Sequence, residues 1–458
     1  MSQELQLILA LVVGIIILLI LILKTKAHPL LALICAASVI GLIAGMKSND
    51  IISAITSGFG STLGSIGIII GFGVMMGSIF EASGAAERMA KSFIKLLGKG
   101  KEELALAITG FIVSIPIFCD SGFVILAPLV KAISKKTKKS AVSMGLSLAV
   151  GLVITHSLVP PTPGPVGVAG VFNVNVGTLL LWGILISIPM TLVSLLYAKH
   201  VGRKLYRIPD DSSETGYVRV NPADVQVSYE DIDISDRDLP GAGISFAPIV
   251  TPIILILCKQ ILGVFKVEGI LMEIFNFIGA PVIAVGVGLI IAILGLARNM
   301  TKKEAIDHMD KGVKSAGIIL LVTGGGGALG QVLRVSGAGD QIANLIANSA
   351  VPAVLLPFLV ATIVRFIQGS GTVAMITSAS ICAPILAALH VNPVFAALAA
   401  CTGSLFFSYF NDSYFWVVNR TLGITDTKEQ IQAYSILSTI AWAVGGICVI
   451  ALGLIFKS

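Results

Sequence analysis

The chain has 458 residues, of which 55% are hydrophobic and only 12% are charged, whereas about 25% of the residues of an average soluble domain are charged. This composition excludes an ordinary soluble protein and indicates an integral membrane protein. The formal net charge of +6 does not predict a nucleic-acid-binding surface, because the basic residues lie in short loops between apolar segments, where the positive-inside rule accounts for them.

The first apolar segment, residues 5–23, carries no charge and reaches the ~20 residues that a spanning helix needs. Glu4 precedes it and Lys24 and Lys26 follow it, whereas a signal peptide begins with basic residues, so the segment is predicted to be the first span. The predicted crossings are residues 5–23, 28–46, 61–83, 140–172 (broken), 174–198, 245–264, 277–297, 315–333, 394–424 (broken) and 432–456.

An internal repeat relates the two halves of the chain. Residues 71–90 read GFGVMMGSIFEASGAAERMA, and residues 324–343 read GGGGALGQVLRVSGAGDQIA. At a constant offset of 253, four glycines, one serine and one acidic position coincide. Each copy is followed by two apolar arms broken by a short polar motif, CDSG at 119–122 and QGSG at 368–371, and then by a broken span. The two halves are therefore predicted to share one fold.

Loop charge predicts that the halves lie in opposite orientations. Five basic residues follow the first copy of the repeated motif, whereas residues 334–350 after the second copy contain only Arg334. By the positive-inside rule the first loop is cytoplasmic and the second is not. The predicted organisation is a first inverted transmembrane repeat at residues 1–198, a cytoplasmic linker at 199–243 and a second inverted transmembrane repeat at 244–458.

Each half is also predicted to contain a re-entrant hairpin. The arms of residues 104–134 have about 14 residues each, which is short for a span at 1.5 Å per residue, and lysines at both ends place both ends in the cytoplasm. The equivalent residues 351–389 are predicted to enter from the opposite face. The predicted fold class is an all-α polytopic membrane protein with two inverted repeats of five spans, each with a re-entrant helical hairpin and a broken helix. Secondary transporters have this architecture, and their substrates bind where the breaks meet.

Four ionisable residues lie at the predicted breaks, where a charge is costly and is usually functional. The planar guanidinium of Arg365 suits a substrate carboxylate, with an internal Arg–Asp ion pair as the structural alternative. Asp120 and Asp412 are predicted proton-coupling groups, because a carboxylate at low dielectric can change its charge near physiological pH. His156 is a third candidate, with the alternative that it is a neutral side chain hydrogen-bonded to a carbonyl of the broken helix.

Five motifs in this order, SGAAERMA, FCDSGFVILAPL, THSLVPPTPGP, RFIQGSGTVA and NDSYFWVV, resemble the gluconate permease family of proton symporters, part of the ion transporter superfamily. The resemblance covers nearly the whole chain. It implies proton-coupled symport of gluconate or a related hydroxy-carboxylate, by a homo-oligomer in the lipid bilayer of the bacterial inner membrane. The substrate-binding residues predicted from the breaks and from this resemblance are Asp120, Ser121, Gly122, His156, Thr162, Arg365, Gly369, Ser370, Thr372, Asn411, Asp412 and Ser413.

Two departures from the family pattern bear on the substrate. Gluconate permeases often have Glu and a different small residue where this chain has Asp120 and Ser121, and Thr162 replaces a more usual His. Shorter hydroxy acids such as glycerate, lactate or 3-hydroxybutyrate therefore stay open beside gluconate. D-serine, which family members also carry, would need an additional acceptor for its ammonium group, whereas Arg365 favours a simple anion.

Sodium coupling or cation/proton antiport is the alternative within transport, because Asp120 and Asp412 with exposed carbonyls could coordinate a cation. An enzyme is not predicted, since the chain lacks H-E-x-x-H, a nucleophile motif and a paired histidine cluster. The six cysteines lie in apolar segments without C-x-x-C spacing, so neither zinc, disulfides nor another cofactor is predicted.

Overall fold

The computed structural model describes residues 3–25, 27–98, 100–210, 212–225, 239–265, 268–338, 352–409 and 412–456. The helices of the first half are α1 (Gln3–Leu19, extended by a π-helical turn, Ile20–Lys24), α2 (Pro29–Ile43), α3 (Ser48–Ser83), α4 (Ala85–Leu97), α5 (Glu102–Val113), α6 (Cys119–Thr137), α7 (Ala141–Leu158), α8 (Pro163–Phe172) and α9 (Val176–Lys204). The connection between the halves contains β1 (Arg207–Pro209), β2 (Tyr217–Arg219) and a 3-10 turn (Pro222–Asp224).

The helices of the second half recur in a similar order. They are α10 (Ala242–Val264), α11 (Ile270–Ile278), α12 (Pro281–Leu296, followed by a 3-10 turn, Ala297–Asn299), α13 (Lys302–Ser336), α14 (Leu355–Gln368), α15 (Gly371–Ala388), α16 (Pro393–Gly403), α17 (Ser413–Thr421), α18 (Thr427–Gln430, followed by a π-helical turn, Ile431–Ser435) and α19 (Ile436–Ile455). The chain is therefore mostly helical, as the sequence predicts.

Seven helices in the described ranges are long and apolar enough to cross a membrane, or eight if the bent helix α3 counts as one. Six of the seven fall on predicted spans, with the broken α7–α8 pair counted as one; the seventh is α15, the second arm of a predicted hairpin. Other predicted spans fall on shorter apolar helices, such as α1, α2 and α16. The predicted count of ten crossings, the re-entrant hairpins and the inverted orientation stay predictions.

Helices α3 and α13 occupy equivalent places in the two halves and pack against each other. A Cβ built on Gly58 of α3 would lie 2.5 Å from the carbonyl oxygen of Gly327 in α13, so the two backbones approach too closely for a side chain there. Helix α3 is bent by 45° between Ser48–Gly64 and Gly67–Ser83. Both helices end at a left-handed glycine, Gly84 (φ 75°) and Gly337 (φ 74°), a conformation that glycine adopts without steric cost.

The core of the molecule surrounds α7, which is almost completely buried, whereas most residues of α10 and α19 are exposed or only partly buried. Exposed apolar side chains on outer helices, such as Leu196 and Leu294, would be unfavourable in water and suit a lipid environment. The polar elements near α7 therefore lie inside the protein.

Helices α5 and α6 form the first hairpin, and ion pairs fix its base. Lys139, just after α6, lies 2.6 Å from Glu102 Oε2 and 3.7 Å from Glu103 Oε2 at the start of α5. Burial alone would raise the pKa of Glu102, but hydrogen bonds from Lys139 and from the Gly100 N–H outweigh it, so the pKa lies below its usual 4.5. This pairing holds together the two ends of the hairpin.

The connection between the halves is a short β-hairpin that contacts both of them. Arg207 and Arg219 face each other across the two strands, and both bind the carboxylate of Glu429 in α18, at 2.6 and 2.5 Å. Arg207 also donates to the carbonyl of Gly423. On the other side, the Tyr206 hydroxyl donates to the carbonyl of Lys138 at 2.8 Å. The predicted linker is thus anchored to the first hairpin and to the last helices.

Candidate functional site

A cavity of about 350 Å³ lies where the tips of the two helical hairpins meet the two broken helices. Arg365 is the only lysine or arginine among the described residues that line it. The lining residues are Cys119, Asp120, Val153, His156, Ser157, Arg365, Gly369, Ser370, Gly371, Thr372, Ser404, Leu405, Asp412, Ser413 and Tyr414.

Prolines and glycines produce the chain breaks that form this cavity. Helix α7 ends at Leu158, and α8 starts with Pro163 at its first position, where the missing N–H of proline costs nothing. In the second hairpin, α14 ends at the left-handed Gly369 (φ 89°), and the Ser370 hydroxyl caps the start of α15. Helix α17 starts after Asp412, whose side chain accepts from the Tyr414 N–H.

Asp120 lies in the first turn of α6, beside the start of α17 in the other half of the chain. Its Oδ1 accepts a hydrogen bond from Ser413 Oγ at 3.0 Å. Its Oδ2 accepts a weaker bond from the thiol of Cys119 at 3.6 Å. The side-chain donors that the described residues offer to Asp120 are therefore neutral, and one of them joins the two halves of the molecule.

Arg365 and Asp412 form a buried ion pair between α14 and the start of α17. Arg365 Nη2 lies 2.6 Å from Asp412 Oδ2, and the two side chains are 6% and 10% exposed. The Ser408 hydroxyl also donates to Asp412, and Arg365 Nη1 donates to the carbonyl of Gly369. The internal Arg–Asp pair, which the sequence leaves open as the alternative to substrate binding, is thus present. Arg365 Nε is buried and has no hydrogen-bond partner among the described residues.

His156 lies in the last turn of α7, on the wall of the cavity. Its ring packs against Phe118, with ring centroids 5.6 Å apart. Its Nδ1 is buried and makes no hydrogen bond within the part of the chain that the structure describes. The predicted alternative, a hydrogen bond to a broken-helix carbonyl, is therefore not made by Nδ1.

Most of the predicted site residues line this one cavity. They are Asp120, His156, Arg365, Gly369, Ser370, Thr372, Asp412 and Ser413. Three others do not line it. Ser121 follows Asp120 on a helix and is rotated by about 100° from it, Gly122 packs against Leu152, and the Thr162 hydroxyl donates to the carbonyl of Val159 at 2.5 Å. The predicted site residue Asn411 lies outside the described residues.

The sequence prediction missed several lining residues, which include Ser157, Ser404 and Tyr414. Ser157 and Tyr414 each adjoin a predicted site residue in the sequence, and this adjacency could have indicated them. Ser404 is different, because it comes at the end of α16, eight residues before Asp412, and only the fold brings it to the cavity. Within the described residues, no group of three or more His, Cys, Asp or Glu side chains could hold a metal ion.

Comparison with known proteins agrees with this architecture. The sequence profile described as "GntP family permease" matches residues 6–455. An uncharacterized permease of Haemophilus influenzae is 50% identical, with 98% of this chain and 92% of the relative aligned. A gluconate permease of Pseudomonas aeruginosa is 32% identical over 99% of both chains.

Among solved structures, the YdaH transporter of Alcanivorax borkumensis has a similar fold, with a TM-score of 0.62 at 15% identity and 90% of each chain covered. The fold is thus that of a transporter, and the relatives are permeases rather than enzymes. The chain therefore belongs to the GntP family of permeases and is a polytopic membrane transporter.

Proposed function

We propose that the protein takes up gluconate or a closely related hydroxy-carboxylate together with protons across the bacterial inner membrane. The observation that carries this proposal is the position of Arg365, a single guanidinium in a cavity formed by both hairpin tips and both helix breaks. A carboxylate that enters the cavity meets one fixed positive group there, and guanidinium–carboxylate pairs are strong and directional.

Arg365 can bind a substrate while it keeps its partner. Its Nη groups are held by Asp412 and by the carbonyl of Gly369, whereas Nε makes no hydrogen bond to the described residues. A guanidinium has five N–H donors, so donors remain after these contacts. The substrate carboxylate would share the guanidinium with Asp412.

The rest of the cavity suits a hydroxylated ligand. Hydroxyl groups line it from both halves of the chain, and His156, whose buried Nδ1 has no hydrogen-bond partner among the described residues, adds a polar ring to the wall. A volume of about 350 Å³ lies at the small end of the range of ligand pockets. The lining hydroxyls belong to Ser157, Ser370, Thr372, Ser404, Ser413 and Tyr414.

Coupling to protons is assigned to the titratable groups of the same cavity, Asp120, Asp412 and His156. Alternating access would move one part of the helices around the cavity, with residues 1–198 and 244–458 as the two inverted repeats, 199–243 as the cytoplasmic linker and a homo-oligomer as the assembly. Sodium coupling is the second candidate, because the cavity contains the two carboxylates that a cation would need. Since Asp412 is already paired with Arg365, only one carboxylate is left for a cation, and the proton is the favoured coupling ion.

The test is uptake of labelled gluconate into proteoliposomes with an imposed inward proton gradient, competed by a panel of hydroxy acids and by D-serine. Wild-type protein is expected to take up gluconate or one competing hydroxy acid. Arg365→Gln is expected to lose this uptake, whereas Arg298→Gln, a matched change on an exposed 3-10 turn, is expected to keep it. The proposal would be contradicted if no carboxylate competed for uptake, or if a sodium gradient alone drove uptake.

A further inference from the structure

The two carboxylates of the cavity are held in different ways. Asp412 accepts from the Arg365 guanidinium, the Ser408 hydroxyl and the Tyr414 backbone N–H. Asp120 accepts from one hydroxyl and one thiol, and no lysine or arginine of the described residues forms an ion pair with it. The charge of Asp412 is therefore compensated within the protein, whereas that of Asp120 is not.

The same asymmetry appears in the groups that face Asp120 from all sides. Among the described residues, the neighbouring elements present to it no lysine or arginine that is not already paired. The titratable or charged groups are Cys119 on α6, His156 on α7, Arg365 on α14, Asp412 directly before α17, Tyr414 on α17, and Tyr434 in the π-helical turn before α19. Because Arg365 is neutralised by Asp412, the empty cavity carries one negative charge when Asp120 is ionised and the imidazole of His156 is neutral.

Binding of an anion to this cavity raises an electrostatic difficulty that one proton resolves. If Asp120 stayed ionised, a monoanionic substrate would bring the buried cavity to two negative charges, and uncompensated charge inside a membrane protein is costly. If Asp120 is protonated, the loaded cavity carries one negative charge, the same as the empty cavity. The proton thus compensates the negative charge that the substrate brings into the cavity.

We infer that Asp120 alone carries the proton, that the Arg365–Asp412 pair persists through the cycle, and that one proton moves with each monoanion in an electroneutral step. The inference rests on the proposed function and specifies its stoichiometry. The proton binds a carboxylate oxygen of Asp120 from the outer solution and leaves to the cytoplasm, and no net charge crosses the membrane. The cavity then discriminates against dianions, because a second carboxylate has no proton carrier.

The first test uses wild-type protein in proteoliposomes with labelled gluconate. For one proton per anion, the steady-state accumulation ratio rises about tenfold for each unit of imposed pH difference, whereas two protons would give about a hundredfold. A potassium diffusion potential set by valinomycin at equal pH is expected to leave accumulation unchanged. If one net charge moved with the substrate, 100 mV would change accumulation by about 50-fold.

The second test compares anions and variants. Unlabelled gluconate should compete for uptake, whereas glucarate, which has the same carbon chain and a second carboxylate, should not. Asp120→Asn is expected to lose accumulation driven by the proton gradient, and the exchange that remains should not depend on pH. Glu81→Gln, at an exposed position in α3, is the matched control and should behave as wild type.

The outcomes separate this inference from the proposed function. Wild-type accumulation that responds to the membrane potential, or a tenfold slope that persists in Asp120→Asn, would overturn the inference and leave hydroxy-carboxylate uptake intact. Absence of wild-type uptake for every hydroxy acid would overturn the proposed function and the inference with it. The wild-type slope and potential measurements do not depend on how well any variant folds.

Discussion

At the scale of single residues, Arg365 and Asp412 form a buried ion pair that joins the second hairpin to the start of α17. A charge among apolar residues is energetically costly, and for this reason the sequence indicates Arg365 and Asp412 as separate candidate site residues. The sequence leaves an internal Arg–Asp pair open as an alternative but cannot decide for it, because the two residues are 47 positions apart and meet only when α17 starts beside the second hairpin tip. Thr162 differs from them, since its hydroxyl donates to the carbonyl of Val159 in the turn before α8 and the residue does not line the cavity.

We expect removal of one partner of this pair to destabilise the protein more than removal of both. Asp412→Asn leaves the buried guanidinium without its counter-charge, which costs about 3–5 kcal/mol, so the variant should unfold at a clearly lower temperature in detergent. The double variant Arg365→Gln with Asp412→Asn should recover most of this stability but no transport. Melting temperatures that fall by the sum of the single effects would show that the residues are not energetically coupled.

At the scale of elements, the repeated glycine motif has a structural reason that the sequence does not reveal. Its spacing predicts a repeat, but not what each glycine contacts. A Cβ on Gly77 of α3 would lie 2.0 Å from the carbonyl oxygen of Pro116, in the turn of the first hairpin, whereas a Cβ on Gly71 would meet nothing within 4 Å. Two glycines of one motif thus differ, because only one of them faces the hairpin tip.

This difference predicts unequal effects of the same substitution. Gly77→Ala must displace a backbone carbonyl, and overpacking of this kind costs about 1–3 kcal/mol or more, so lower thermal stability and weaker uptake are expected. Gly71→Ala adds a methyl group in open space, and the better helix propensity of alanine, worth about 1 kcal/mol, should keep or raise stability. Equal melting temperatures for the two variants would contradict the packing seen here.

At the scale of the whole molecule, the order of the elements could be predicted better than their number of crossings. The offset of 253 residues relates long helices, hairpins and broken helices of the two halves, and the structure contains these elements in both. Length alone could not decide which apolar helices cross, because α15 reaches spanning length inside a predicted hairpin, whereas α2 has only 15 residues. Orientation across the membrane depends on loop charge and stays a prediction.

Two equivalent loops provide a test of the inverted orientation. Lys138 precedes α7, and His390 precedes α16; both residues are exposed and have left-handed backbone conformations, φ 58° and φ 52°. In a background without the six native cysteines, Lys138→Cys should react with a membrane-impermeant maleimide only in inside-out vesicles, and His390→Cys only in intact cells. Labelling of both variants from the same side would exclude inverted repeats.

The β-hairpin between the halves has a consequence for how the chain length can vary. Arg207 and Arg219 bind the same carboxylate from opposite strands, so the number of residues between them is fixed by the turn that brings them together. One inserted residue would shift the strand register and turn one arginine to the other face. We therefore expect homologous chains to have no insertions or deletions between these two arginines. This segment lies in the most polar part of the sequence, where chain length usually varies most freely.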